Sequence, residues 1–435
     1  MNARPGDPRS GLAARLYRGS AVYLAIYVVG SGISFGIHLF IARMLGATSY
    51  GYYVYATSWM AVLLLGCNIG LKPTTVRFVA AYSARGEWGL LRGFLLSSTR
   101  WTIAASGVVV TLSVIALWFL RPRLDALGAT LLLIAMAMPF MALSDVWSSA
   151  VRGLGAVTRS QIPASIVQHA LVGITLVVIV AVSGTEGGAA SAAAAFLTAT
   201  IGTLGVAGLL LWRELSRQAR DASPRFLRQE WARVAGSNML ISLFQAVRAP
   251  LIVVIAGAYV DSRQIAYYGA AQRLANVMSL GLLGISGFAS PLISQYFALS
   301  DLANLQRLAR LAARGTLGAA SVTAVLMIAF GNELLRLFGI GFDSAYLPLL
   351  VLLLGEIAAG AAGPVGYFLT MTGRQTTATW IEAITCAIAV ALAPVLVPRY
   401  GILGAAIVVA LGSSLRNAAM SVVVRRQLGL RSAQV

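Results

Sequence analysis

Apolar stretches of about 20 residues alternate with short polar segments from one end of the chain to the other. A helix needs about 20 apolar residues to cross a hydrocarbon core of ~30 Å. The pattern therefore predicts twelve membrane-spanning helices, six in each half of the chain. The predicted spans are residues 19–44, 49–71, 93–120, 126–151, 161–183 and 187–212, followed by 235–258, 264–290, 315–338, 345–371, 377–397 and 401–424.

The second half of the chain repeats the first at a shift of 218 positions without a gap. The matched residues are Tyr50-Gly51 with Tyr268-Gly269, Met60 with Met278, Leu65-Gly66 with Leu283-Gly284, Pro73 with Pro291, and Gly155 and Thr158 with Gly373 and Thr376. Because six is an even number, both halves enter the membrane in the same sense. This predicts parallel repeats related by an axis along the membrane normal.

The predicted fold class is an all-α, polytopic membrane protein with two six-helix lobes around a central cavity. We assign residues 1–212 to an N-terminal lobe, 213–234 to a linker between the lobes, and 235–435 to a C-terminal lobe. The linker is rich in arginine and contains Pro224. Two interpretations stay open for it: an interfacial helix pair broken at the proline with its arginines near anionic headgroups, or a solvated connection.

Composition and charge agree with a membrane location. The chain is 58% hydrophobic and 11% charged, with a mean hydropathy of +0.81 and a formal net charge of +19. When the N-terminus is placed in the cytoplasm, 23 of the 33 basic residues lie on the inner side, 6 on the outer side and 4 within spans. This asymmetry predicts that both termini are cytoplasmic. It also explains the basic charge without a nucleic-acid partner.

Two inner loops mix apolar and basic residues at helical spacing, residues 72–92 and 291–314. They predict amphipathic helices that lie on the inner leaflet, with Tyr82, Trp88 and Tyr296 as aromatic anchors at the interface.

Several chemistries are disfavoured by the residues present. The only lysine is Lys72, which follows a leucine, so a GxxxxGK phosphate loop is absent from the sequence. Cys67 and Cys386 lie inside apolar segments, and neither His38 nor His169 has metal-ligand spacing around it. We predict no cofactor and no metal. The predicted outer loops are only a few residues long and hold single acids, which weighs against a sugar-transfer enzyme.

The candidate functional residues are charges inside predicted spans, because a charge near the bilayer centre requires a partner or an aqueous cavity. The basic candidates are Arg248, Arg273 and Arg416, and the acidic candidates for ion coupling are Asp145, Glu356 and Glu382. None of these charges recurs at the 218-residue shift. Guanidinium groups match phosphate geometry, so the arginines are candidate anion ligands. The alternative is internal pairing, for example of Arg416 with Glu382.

Four segments resemble bacterial polysaccharide exporters, namely IARMLGATSYGYYVYA, QIAYYGAAQRLANV, SAVRGLGAVTRSQIP and LLRLFGIGFDSAYLPLLVLLLGE. The chain is similar to O-antigen (Wzx-type) flippases of the multidrug/oligosaccharidyl-lipid/polysaccharide exporter superfamily. The resemblance implies two lobes around a cationic cavity and the flipping of undecaprenyl-pyrophosphate-linked oligosaccharide to the outer leaflet. It adds Arg43 to the anion ligands.

By the same resemblance, the protein resides in the bacterial inner membrane. Its implied partners are the lipid-linked oligosaccharide, membrane lipids, a polysaccharide polymerase and chain-length proteins. One departure is that relatives often place an acid in the seventh span, where this chain has Arg248-Ala249-Pro250. Two alternative functions are kept: a cation-coupled multidrug efflux antiporter of the same superfamily, and a membrane-embedded sugar-transfer enzyme.

Overall fold

The computed structural model describes residues 8–120, 126–183 and 188–429, and these residues are helical with no β-strand among them. In chain order the α-helices are α1 (Pro8–Asn68), α2 (Leu71–Arg85), α3 (Trp88–Leu120), α4 (Ala126–Gly153), α5 (Gln168–Ser183), α6 (Gly188–Glu214), α7 (Arg217–Asp221), α8 (Arg228–Ala246), α9 (Arg248–Ala256), α10 (Ser262–Ala298), α11 (Leu302–Arg336), α12 (Tyr346–Ala362), α13 (Val365–Met371) and α14 (Gln375–Leu428). A π-helical turn, Pro163–Val167, precedes α5.

Eight helices of the described chain are long and apolar enough to cross a membrane, or up to nine if the bent pair α8–α9 counts as one span. Two of the eight are double length. At ~1.5 Å per residue, the 54 residues of α14 would extend ~80 Å, far beyond a ~30 Å hydrocarbon core. Helix α14 is interrupted at Gly401 (φ 57°), and α1 is interrupted at Gly46 (φ 77°). Each therefore holds two of the predicted spans, and the protein is an all-α, multi-pass membrane protein as predicted.

The chain forms two compact units. The first unit comprises Val29–Gly257 with Asp261–Ala266, and the second comprises Met1–Val28, Ala258–Val260 and Tyr267–Val435. Helices α8 and α9 thus belong to the first unit, whereas the sequence repeat assigns residues 235–257 to the second half. The assignment of residues 1–212, 213–234 and 235–435 to two lobes and a linker stays a prediction from the repeat.

The sequence repeat has a structural counterpart in both units. Gly155 follows α4 with φ 93°, and its repeat partner Gly373 follows α13 with φ 81°. Tyr50 and Tyr268, which are also repeat partners, are both completely buried. The matched glycines are needed because a positive φ disfavours a residue with a Cβ atom.

The two halves differ at the inner loop that follows the second span of each. Helix α1 ends at Asn68, and the left-handed residues Ile69 (φ 38°) and Gly70 (φ 70°) redirect the chain into α2, a separate 15-residue helix. The position that matches Gly70 in the repeat is Phe288. There α10 continues to Ala298 and α11 begins at Leu302, so residues 291–314 are divided between two long helices and form no short helix like α2.

The prediction that Tyr82 anchors the chain at the interface is wrong. Its side chain is only 4% exposed and belongs to an aromatic cluster that includes Phe78, Phe94 and Trp231. The Tyr82 hydroxyl accepts a hydrogen bond from Trp231 Nε1 at 2.8 Å. Burial raises the pKa of this phenol.

Candidate functional site

Arg248 lies at a sharp helix break in the first unit. Helix α8 ends at Ala246 and α9 begins at Arg248, with a bend of 56° between them. Pro250 accounts for the break, because proline has no backbone N–H to donate to the carbonyl of Ala246 and its ring clashes with that carbonyl. The half-buried Arg248 side chain therefore starts from irregular backbone inside an apolar segment.

Close backbone contacts hold α8 on one side of this break. A Cβ atom at Gly70 would lie 2.1 Å from the carbonyl oxygen of Ala235, so only glycine permits the approach of α8 to the turn between α1 and α2. Asn238 on α8 donates to the Thr74 hydroxyl at 2.9 Å, and Thr74 donates to the Gly70 carbonyl at 2.8 Å. These contacts fix α8 against the start of α2.

The far end of α9 is held in a similar way. A Cβ atom at Gly257 would lie 2.1 Å from Cε2 of Tyr55 on α1. Since α8 is fixed before the bend and the chain is fixed again after α9, the position of Arg248 is determined by its surroundings on both sides. Arg248 is therefore a candidate ligand-binding residue on a constrained backbone.

Arg43 is the second basic candidate of this unit. It is exposed and lies three residues before Gly46, where α1 is interrupted. The structure therefore places both arginine candidates of the first unit next to helix breaks, Arg43 in α1 and Arg248 between α8 and α9.

Asp145, an acidic candidate on α4, already has two polar partners. Lys72 Nζ lies 3.1 Å from its carboxylate, and Asn68 Nδ2 donates to the same oxygen at 3.2 Å. The Asp145 side chain is 14% exposed and the Lys72 side chain 51% exposed. Sequence analysis missed this pair because it treated Lys72 only as an inner-side charge. The signal was available, since a buried carboxylate requires a nearby cation.

Glu382 and Arg416 form an ion pair in the second unit, with Arg416 Nη1 3.3 Å from a Glu382 oxygen. Their side chains are 12% and 24% exposed, respectively. The structure thus confirms the internal pairing that the sequence left open as an alternative for Arg416. A guanidinium that neutralises a buried carboxylate is less available to an external anion.

The other two candidates of the second unit, Arg273 on α10 and Glu356 on α12, are half-buried. Glu356 follows Gly355, where an added Cβ would come within 2.8 Å of the Ala410 Cα atom. Helices α12 and α14 are therefore in close contact beside Glu356.

The second unit also has a polar cavity of about 580 Å³ at the end of α11. The lining residues are Ile328, Ala329, Asn332, Glu333, Asp343, Ser344 and Tyr346. Its two carboxylates disfavour an anionic ligand.

His38 packs among aromatic rings in the first unit. Its Nδ1 lies 3.4 Å from the Tyr50 hydroxyl, and its ring lies 5.8 Å from that of Tyr53. These contacts join the segments before and after Gly46, so His38 packs between them.

Comparison with known proteins defines the class. Residues 16–297 match the model of the polysaccharide biosynthesis protein family, and the chain belongs to that family. No curated protein sequence matches it significantly. The fold and the family are those of membrane transporters.

Solved structures with a similar fold include transporters of the MOP superfamily. An inward-facing multidrug resistance MATE transporter has a TM-score of 0.77 at 13% identity, covering 94% of this chain and 98% of its own. A MOP superfamily transporter from Pyrococcus furiosus has a TM-score of 0.67 at 13% identity, covering 95% of each chain. A mutant of the Vibrio cholerae MATE transporter VcmN has a TM-score of 0.61 at 18% identity, covering 97% of this chain and 98% of its own.

Proposed function

We propose that this protein is a flippase that moves undecaprenyl-pyrophosphate-linked oligosaccharide from the inner to the outer leaflet of the bacterial plasma membrane, by alternating access, for surface polysaccharide biosynthesis. The observation that supports this proposal is the position of Arg248. In this member of a polysaccharide biosynthesis family, Arg248 is half-buried at a helix break, with close packing at Gly70 on one side of the break and at Gly257 on the other. A guanidinium fork suits a pyrophosphate, which is the charged group of such a lipid.

The remaining basic candidates differ in how directly they would contact the substrate. In this proposal, Arg43 and Arg273 are further anion ligands. Arg416 acts mainly through its pair with Glu382, so it contributes to the local electrostatic field more than to direct contact. A polysaccharide polymerase and chain-length proteins are the partners expected to act on the exported product.

The membrane potential would favour this transport. A lipid with about two negative charges is stabilised by ~2.3 kcal/mol per charge per 100 mV when it moves from the negative inner side to the positive outer side of the membrane. Voltage would therefore supply part of the driving force, and an ion-coupling acid is not a strict requirement. Of the three candidate acids, Asp145 and Glu382 already have basic partners.

The second candidate function is a cation-coupled multidrug antiporter, which the fold of the MATE transporters favours. An arginine at the bend between α8 and α9 disfavours cationic drugs by like-charge repulsion. The Pyrococcus furiosus transporter is described as having a binding pocket of reverse polarity that suggests a different function. Pocket charge is thus a reasonable criterion for separating functions on this fold. We do not pursue a sugar-transfer enzyme, since family and fold are those of transporters.

The test is a strain that lacks the gene, assayed for lipid-linked oligosaccharide on each leaflet and for surface polysaccharide. We expect oligosaccharide to accumulate on the inner leaflet and surface polymer to be lost, with rescue by the wild-type gene. Arg248→Ala should reduce export about 10- to 100-fold, as expected for a lost charge-assisted hydrogen bond. Arg248→Lys should retain part of the activity.

Arg399→Ala is the matched control, because Arg399 is exposed and lies on the predicted outer side. Export by Arg248→Ala at wild-type rate and protein level would refute the role of that arginine. Unchanged surface glycan in the deletion strain, together with altered sensitivity to cationic drugs, would favour the antiporter instead.

A further inference from the structure

Residues 213–233, here called the connector, are packed on α3 within the first unit instead of forming a free linker. The backbone N–H of Arg225 donates to the Gly89 carbonyl at 2.9 Å, and the Arg92 guanidinium donates to the Ala222 carbonyl at 2.9 Å. A Cβ atom at Gly93 would lie 1.8 Å from the Arg225 carbonyl oxygen. Gly89 and Gly93 thus form a notch on α3 that receives the connector backbone.

A buried tryptophan holds the C-terminal end of the connector. Trp231 is 0% exposed, donates to the Tyr82 hydroxyl and packs edge-on against Phe94 with 5.2 Å between ring centroids. With the notch on one side and this tryptophan on the other, residues 226–228 are held in between. Their outward side chains are therefore presented from an ordered backbone.

The outward face of this segment combines apolar and basic side chains. Phe226 and Leu227 are 40% and 43% exposed, although neither belongs to a membrane-spanning helix. Arg225 and Arg228 are exposed on either side of them. The Arg228 guanidinium lies 5.0 Å from the centroid of the Phe226 ring, so charge and ring are presented together.

The same combination recurs at the start of the connector. The exposed Trp212 side chain lies in the last turn of α6, and the Arg220 guanidinium lies 4.2 Å from its ring centroid. Glu214 forms an ion pair with Arg159 at 2.6 Å, so its negative charge is neutralised by a residue outside the connector. The connector holds six arginines against three acids.

We propose that the connector is a binding surface for anionic phospholipid headgroups, with Phe226 and Leu227 inserted at the headgroup boundary and Arg225 and Arg228 on the phosphates. Charge complementarity between the arginines and anionic phospholipids favours this partner. Exposed aromatic and aliphatic side chains flanked by arginines are typical of segments that lie at a membrane interface. The connector lies on the side that the arginine asymmetry predicts to be cytoplasmic, where anionic lipids attract basic segments. The inference does not depend on the proposed substrate.

The experiment uses the full-length protein in mixed micelles of phosphatidylglycerol and phosphatidylcholine, with bound lipids counted by native mass spectrometry. Wild-type protein should retain phosphatidylglycerol in preference to phosphatidylcholine. The Arg225→Gln, Arg228→Gln double variant should lose this preference by about fivefold per arginine, or roughly 25-fold together. Both side chains are exposed, so the variant should fold normally.

Two controls separate the proposal from its alternatives. The Arg336→Gln, Arg399→Gln variant removes the same charge on the predicted outer side and should keep the preference. The Phe226→Ala, Leu227→Ala variant should bind both lipids more weakly and keep the selectivity. Equal retention of both lipids by the wild type, or unchanged selectivity in the Arg225, Arg228 variant, would overturn the proposal. Displacement of phosphatidylglycerol by inorganic phosphate would do the same, since it would indicate a soluble-anion site.

Discussion

Arg416 and Glu382 face each other across the interruption of α14 at Gly401, with Arg416 Nη1 3.3 Å from a carboxylate oxygen. The sequence places the two residues 34 positions apart in different predicted spans. Their contact changes the interpretation of both, because each charge stabilises the other in an apolar environment. Neither is then a free ligand for substrate or for a coupling ion.

We expect Glu382→Ala to destabilise the protein by about 3 kcal/mol, since the change leaves the arginine charge without its partner in a mostly buried position. The Glu382→Ala, Arg416→Ala double variant should recover much of that loss. The measurement is the thermal unfolding midpoint of the purified protein in detergent. Additive effects of the two single variants would show that the pair does not couple, and normal export by the folded double variant would confine Arg416 to a structural role.

The Lys72–Asp145 pair gives a second prediction. Asp145→Asn should lower stability only modestly, by about 1 kcal/mol, because half of the lysine side chain is exposed and water can solvate its charge. If Asp145 were instead the coupling acid of an antiporter, the same change would abolish transport at unchanged protein level. Transport assays in vesicles with and without an imposed ion gradient distinguish the two results, and Lys72→Gln serves as the partner variant.

Gly93 and Gly107 provide a matched pair on α3. A Cβ atom at Gly93 would clash with the Arg225 carbonyl oxygen at 1.8 Å, whereas one at Gly107 would meet nothing within 4 Å. Gly93→Ala should therefore destabilise the protein by about 1–3 kcal/mol and expose the connector to trypsin. Gly107→Ala should be neutral or slightly stabilising, because alanine favours helix. Equal effects of the two variants on the unfolding midpoint and on cleavage would disprove the docking of the connector.

The carboxylate of Asp301, just before α11, predicts that the stability of the protein depends on pH. Its carboxylate accepts hydrogen bonds from the backbone N–H of Asn304 at 3.0 Å and from the Asn304 side chain at 2.7 Å, and these bonds lower its pKa. A lowered pKa in the folded state means that the contribution to stability is present above the ordinary value of ~3.9 and is lost as the pH falls through the folded-state value.

The Asp301→Asn variant isolates this contribution, since asparagine also caps helices but does not titrate in this range. We expect the difference in unfolding midpoint between wild type and variant to shrink as the pH is lowered from 6 toward 3. A difference that stays constant across this interval would show that the cap does not depend on the charge.

From the sequence, most residues of the candidate site could be identified only as charged residues in apolar spans. Arg248 and Asp145 stood out because charges are rare in apolar spans, and the structure places one at a helix break and the other beside Lys72. The partner of Asp145 could not be assigned beforehand, because it lies 73 positions away on a different helix. Charge in a span identifies a candidate, but the packing of helices decides whether that charge is already neutralised.

The repeat shows the same division. Gly155 and Gly373 recur in sequence because both positions require a left-handed backbone, which is a local property. The conformations of the two inner loops could not be predicted from the repeat. Gly70 redirects the chain while its counterpart Phe288 lets α10 continue, and a recurrence of apolar positions does not distinguish these outcomes.

The sequence by itself determined the class of this protein, since apolar length and an internal repeat suffice to predict an all-α membrane protein with duplicated halves, and the family resemblance adds transport. Only the tertiary structure decided which charges pair, that the connector packs on α3, and that Tyr82 is buried under Trp231. The physical reason is that helix formation in a membrane follows from local apolarity. Close approach between segments depends on notches such as Gly89 and Gly93, whose partners are distant in the chain.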